Sequence, residues 1–176
     1  MRLLYCKKMT VFNITYNKRI PQTTKIELDY EIINETNVGE VASLRNNTYL
    51  KEYNYLIKSK KAIGIACYNK NEAIGYVWAK FPCCRDKLIK IRNSVYLSSS
   101  FVKEEYRGNN IHACLITKLM DEVEKNNTSK TENLYSAAIY ETNKASLKGA
   151  EKVGFEYVKT IKLVRFLKMT FFKQSV

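Results

Sequence analysis

The sequence predicts an α/β (α+β) fold: a mixed, mostly antiparallel central sheet with helices on both faces. Three observations predict it. Ala62–Tyr68 and Ala73–Phe81 are apolar runs joined by Asn69-Lys70-Asn71, the pattern of a tight antiparallel hairpin. Tyr96–Val102 reads as a strand, the residues from Ile111 as a helix and Leu134–Tyr140 as the next strand, which implies a right-handed parallel crossover. A further helix, Asn143–Val153, and a closing strand, Phe155–Leu167, supply the remaining cover for the sheet. At 176 residues the chain is expected to form one domain over 1–176 with a full core.

Taken in order, residues 9–17 and 24–33 read as strands, the second because Thr24–Ile33 alternates charged and apolar residues. Thr36-Asn37 offers a helix cap, and Glu40 three residues after Asn37 completes a capping-box pattern. Val38, Val41, Ala42 and Leu44 suit a short helix, Asn46-Asn47 breaks it, and Leu50, Tyr53, Leu56 and Ile57 suit a second. After the hairpin, Pro82 ends the strand, and the basic stretch Phe81–Arg92 reads as loop leading into a strand over Ile91–Val102. The central helix carries its apolar stripe on Ile111, Cys114, Leu115, Leu119 and Val123. Asn126–Asn133 is a polar loop, Gly154 stands at a C-cap, and Met169–Val176 reads as a frayed tail unless Phe171-Phe172 packs on a neighbour.

The formal net charge is +13, unevenly spread: residues 1–25 carry six Lys/Arg and no acid. Such a surface favours anionic partners, from a phosphorylated coenzyme to nucleic acid. No aromatic–basic RNA motif accompanies it, so nucleic acid is not the expected partner. No window has the length and apolarity of a membrane span, and the start lacks a long apolar stretch of a leader, so no membrane association and a cytoplasmic location are expected. The five cysteines (Cys6, Cys67, Cys83, Cys84, Cys114) form no Cys-x-x-Cys pair, and His112 is the one histidine. No metal site is therefore expected.

The stretch Phe101–Met120 is where the chemistry concentrates. A strand, the turn Arg107-Gly108-Asn109-Asn110 and a helix from Ile111 aim free backbone N–H groups at one point, with the positive helix end behind them. Gly and Asn tolerate the left-handed backbone such a turn needs. This is a ready site for a pyrophosphate. The same residues also suit a plain strand-to-helix connection capped by Asn.

Phe101–Ile116 resembles the acetyl-coenzyme A pyrophosphate loop of GNAT-type N-acetyltransferases, whose pattern is Arg or Gln, two residues, Gly, one residue, then Gly or Ala. Arg107 matches the first position; Asn110 and His112 stand where the family has small residues. Asn143–Phe155, an Asn, a helix and a terminal Gly-Phe, resembles the family's other common signature. The resemblance implies a splayed pair of parallel strands with the coenzyme's pantetheine arm between them. It implies backbone contacts from Phe101 and Val102, a pyrophosphate loop of Arg107, Gly108, Asn109, Asn110, Ile111 and His112, and polar contacts from Asn143 and Ser146. For Asn143 a helix cap is the alternative role. His112 reads as a packing or capping residue, with anion binding by its protonated ring as the alternative.

By the same resemblance the activity is direct transfer of acetyl from acetyl-CoA to a primary amine: an amino sugar, a small amine or a protein amine. Relatives carry a Tyr midway along the second signature as proton donor to the leaving thiolate; here Ala150 occupies that place. Tyr140, at the end of the later strand, is the nearest candidate acid or base. The missing Tyr leaves open a coenzyme-binding regulator without catalysis, and the basic charge leaves a nucleic-acid-binding protein as a third reading. Oligomeric state stays open between monomer and homodimer.

Overall fold

The computed structural model describes residues 4–82, 93–126, 132–166 and 169–175. Its elements are β1 (Leu4–Thr15), β2 (Asp29–Ile32), α1 (Val38–Ser43), α2 (Leu50–Lys58), β3 (Ala62–Asn69), β4 (Glu72–Lys80), β5 (Ser94–Val102), α3 (Ile111–Lys125), β6 (Leu134–Tyr140), α4 (Lys144–Val153), β7 (Glu156–Phe166) and β8 (Met169–Ser175). The strands form one sheet in the order β2-β3-β4-β5-β6-β1-β7-β8. Among the described strands only β5 and β6 run parallel; every other neighbouring pair among them is antiparallel.

Local chemistry explains the connections. Lys70 and Asn71 join β3 to β4 with φ of 49° and 68°, the two left-handed residues a tight hairpin needs to match strand twist. The parallel pair requires a crossover, which α3 supplies. Along β3 the alternation sorts side chains to two cores. Ile65 and Cys67 face α3 and α4, packing with Leu115, Leu119, Met120 and Val153. Ala66 and Tyr68 face α1 and α2, packing with Val41, Tyr53, Leu56, Tyr76 and Trp78. Gly154 ends α4 at φ 98°, where its N–H reaches Ala150 and Glu151 carbonyls.

Several expectations are corrected. The strand expected over 24–33 is strand only from Asp29 to Ile32. The residues before it run instead along α3 and α4: Arg19 pairs with Asp121 at 2.6 Å, Ile20 N–H bonds the Val153 carbonyl at 2.8 Å, and Lys25 N–H bonds the Asn109 carbonyl at 3.2 Å. Helix-end and loop carbonyls thus satisfy backbone donors that a strand partner would otherwise take. The capping box at Asn37 does not form. Asn37 has α-region backbone and makes no cap bond; its Oδ1 accepts from Asn34 N–H, while Glu40 accepts from the Ala73 N–H across the fold. Met169–Ser175 is not a frayed tail but β8, which pairs with β7 and takes up that strand's outer edge. The N-terminal strand is placed where chain order gives no hint: β1 lies between β6 and β7. Strand β5 is described from Ser94; the start of the strand expected over Ile91–Val102 lies outside the described residues, as does part of the Asn126–Asn133 loop.

Candidate active site

Strands β5 and β6 pair only through Ser94–Leu97 and Leu134–Ala137. Beyond these residues they part, and a bulge in β5 accounts for it. Tyr76 pairs with Phe101 and Trp78 with Ser98, so Ser99 and Ser100 together oppose Val77 alone. Ser99 has φ of 40°, a left-handed backbone for a residue other than glycine. An extra residue of this kind bends its strand and ends local pairing. The opened gap is a cavity of about 650 Å³ that passes between the strands, with Ser98–Val102 on one wall, Ala137–Tyr140 on the other, α3 and α4 at one side and Arg45 at the other.

The bulge is held from the α1/α2 face. Tyr53 donates its hydroxyl hydrogen to Tyr76 at 3.0 Å and shares a 2.6 Å hydrogen bond with Ser99 Oγ. Its ring lies against Trp78, with centroids 4.9 Å apart. Burial and the Tyr76 hydroxyl push the Tyr53 phenol far up, so it remains a neutral hydrogen-bonding group. Ser98 Oγ is buried and has no hydrogen-bond partner among the described residues.

On the opposite face lies the turn before α3. Gly108 has φ of 89° and Asn110 φ of 62°. The first intrahelical bond runs from Cys114 N–H to the Asn110 carbonyl, so the N–H groups of Ile111, His112 and Ala113 are free by helix geometry. Those of Gly108, Asn109 and Asn110 likewise find no acceptor among the described residues. Six successive donors therefore stand without an acceptor among the described residues at the start of a 15-residue helix. The Asn110 side chain does not cap the helix. It is pinned outward: its Nδ2 donates to Gln22 Oε1 and the Thr23 carbonyl, both at 3.0 Å, and its Oδ1 accepts from Lys152 at 2.9 Å. The cap reading of the turn is thus corrected, and the N-terminal segment fixes the loop from behind. Arg107 lines the gap, its Nε donating to the Val102 carbonyl at 3.3 Å.

His112 turns away from those donors and into the wall of the gap. Its Nε2 is 3.0 Å from Ser100 Oγ. Its Nδ1 faces Gly149, where a Cβ would sit only 2.5 Å away. The large residue on α3 is matched by the absence of a side chain on α4. Burial lowers the imidazole pKa to about 4, so the ring is neutral near pH 7 and is no cation for an anion.

Phe101, Val102, Arg107, His112, Tyr140, Asn143 and Ser146 all line the gap; Gly108, Asn109, Asn110 and Ile111 form the turn at its rim. Asn143 also caps α4, accepting the Ser146 N–H at 3.2 Å. Ala150 is buried in the wall and offers no hydroxyl. Tyr140 is 38% exposed at the mouth, with the Lys7 ammonium 4.8 Å from its ring centroid. Sequence reasoning missed Arg45, Tyr53, the bulge and the His112–Gly149 fit. A run of three serines, Ser98–Ser100, inside an otherwise apolar strand was the available sign of the bulge. Among the described residues no cluster of three or more His, Cys, Asp or Glu is arranged to hold a metal ion, and no helix is long and apolar enough to cross a membrane.

Solved structures share this architecture. An aminoglycoside N-acetyltransferase, AAC(6')-Iy, in complex with the bisubstrate analogue CoA-S-monomethyl-acetylneamine superposes with a TM-score of 0.61 at 17% identity, over 74% of this chain and 92% of that one. The aminoglycoside 6'-N-acetyltransferase AAC(6')-Ih from Acinetobacter baumannii gives 0.59 at 16% identity, over 85% and 99%. A GNAT-family acetyltransferase from Colwellia psychrerythraea gives 0.64 at 13% identity, over 93% of this chain and 56% of that one. The chain has the GNAT fold. No protein-family model matches the sequence, and no curated protein matches it. The parallel pair that defines the GNAT fold here is β5 and β6, parting at Leu97 and Ala137, with the α3 turn at the rim of the gap.

Proposed function

We propose that the protein is an N-acetyltransferase that moves the acetyl group of acetyl-CoA to a primary amine by direct attack, acting as one domain over residues 1–176 in the cytoplasm. The observation that carries this reading is the run of six N–H groups, Gly108 to Ala113, with no acceptor among the described residues, beside a gap between two diverging parallel strands that Arg107 and His112 line. The donor set fits the coenzyme. Backbone donors and the positive helix end suit a pyrophosphate, Arg107 adds a charge beside them, and the edges of β5 and β6 beyond Leu97 and Ala137, which do not pair with each other, offer amide partners to a pantetheine arm. The aminoglycoside N-acetyltransferases of the same fold, one complexed with CoA, support a small-molecule amine as acceptor.

Direct transfer needs the amine delivered neutral and its proton removed, and a donor for the departing thiolate. Tyr140, at the mouth of the gap, is the candidate for that proton exchange. Ser100, hydrogen-bonded to a neutral His112, is another hydroxyl in the wall. Ala150 favours one other reading, a coenzyme-binding regulator without catalysis, because a buried methyl stands where relatives place a tyrosine. Thiol release from acetyl-CoA, followed with a panel of primary amines, separates the two. Amine-dependent release is expected; acetyl-CoA binding with no amine-dependent release selects the regulator.

A further inference from the structure

The gap crosses the sheet, and its two ends differ in charge. At the α3/α4 end stand the free N–H groups and Arg107. At the α1/α2 end stands Arg45, in the connection between those helices. Arg45 is half-buried and its guanidinium lies over the Tyr49 ring, 4.7 Å from the centroid. It pairs with no carboxylate among the described residues. It is close enough to Tyr53, the residue bonded to the bulge at Ser99, for its charge to be felt at that phenol.

No Asp or Glu is among the described residues that line the gap. The carboxylates of the α1/α2 face are engaged elsewhere: Glu40 accepts from the Ala73 N–H and Glu52 pairs with Lys80 at 2.9 Å. Among the described residues a cationic acceptor finds no lining carboxylate to neutralise it, and Arg45 would repel it. A guanidinium without a carboxylate partner in a partly desolvated wall is a receptor for a carboxylate or phosphate, which its planar fork engages through two parallel bonds. The chain's net charge of +13 attracts anions to the mouth as well. This end and the helix N-terminus lie on opposite faces of the sheet.

We infer that the acceptor is an amine that also carries an oxyanion, a carboxylate or a phosphate, held by Arg45 on the α1/α2 face of the gap. It is not a polycation of the aminoglycoside kind. This rests on the acetyltransferase reading for the fate of the amine, but not for its binding.

The test has a kinetic and a binding arm, both on the full chain. In the first, acetylation is measured with α-amino acids, amino-sugar phosphates, their uncharged amide or dephosphorylated counterparts, and an aminoglycoside. The anionic amines are expected to react best, the better of the two classes identifying the oxyanion. Arg45→Gln is expected to raise their KM at least about tenfold, as loss of a hydrogen-bonded charge partner does, with KM for acetyl-CoA and for the uncharged counterparts unchanged. In the second, the same amines are titrated by calorimetry into the protein saturated with CoA, using wild type and Arg45→Gln. Arg45-dependent binding of an anionic amine without any acetylation upholds this inference and overturns the enzymatic reading. Preference for the aminoglycoside, equal effects of Arg45→Gln on charged and uncharged amines, or no anionic amine bound or acetylated overturns the inference itself.

Discussion

The two faces of the gap are built from different materials. The α3/α4 face presents backbone: six N–H groups whose direction is set by two left-handed residues, Gly108 and Asn110. The α1/α2 face presents side chains: the Ser99 hydroxyl, held from behind by Tyr53, and the Arg45 guanidinium. Backbone donors survive most substitutions, which is how Asn110 and His112 stand at positions held by small residues in the family pattern without removing a donor. Side-chain donors do not survive them. The first face can keep one ligand while its sequence drifts, and the second can change ligand with a single residue.

The largest expected effect concerns His112. Its pKa falls from the ordinary 6.5 to about 4 on folding, so the unfolded chain binds the proton more readily. Stability from keeping it neutral is complete above pH 6.5 and is lost as the pH falls toward 4, by on the order of 3 kcal/mol. Urea unfolding across that range should show the loss in wild type and a much flatter profile in His112→Gln. An unchanged profile would mean that His112 is not the neutral, partly buried group described here.

Next comes Gly108→Val. A Cβ at Gly108 meets nothing within 4 Å, but φ is +89°, which a β-branched residue adopts at a cost of about 1–3 kcal/mol. The turn should relax out of its binding shape and weaken acetyl-CoA by about 30-fold in calorimetry. His112→Ala keeps its N–H and should change affinity far less. The reverse order would make the imidazole a ligand and break the contrast between backbone and side-chain faces.

Gly149→Ala should destabilise the fold by about 1–3 kcal/mol, because the new methyl collides with His112. Combined with His112→Ala it should cost less than the two changes added together, a coupling readable in a double-mutant cycle. On the other face, Tyr53→Phe removes the hydroxyl that joins Tyr76 to Ser99 and should cost about 1 kcal/mol. It should lower the rate of transfer more than the affinity for acetyl-CoA.

Most of the fold was legible because its signals are local. Leu134–Tyr140 is a strand as expected, α4 begins after its Asn143 cap and ends at Gly154, and the Lys70-Asn71 turn closes the hairpin. What failed depended on distant partners. Nothing near Leu4–Thr15 says that this strand enters between β6 and β7, nor that β8 continues the sheet beyond β7. The alternation of Thr24–Ile33 promised a longer strand, but half of it lies against the helices instead. At the site, the donors of the α3 turn could be read from Gly108 and the helix pattern. The fit of His112 into Gly149 could not, since those residues are 37 positions apart and meet only through packing of α3 on α4.

The central claim is that the N–H groups of Gly108 to Ala113 receive the coenzyme. Amide chemical shifts of the ¹⁵N-labelled protein, followed during titration with CoA, test it most directly. The largest changes should fall on these six amides and on the facing edges of β5 and β6, and a 3′,5′-diphosphate fragment without pyrophosphate should leave the six amides nearly unmoved. Saturable binding of CoA with these amides unshifted would contradict the account.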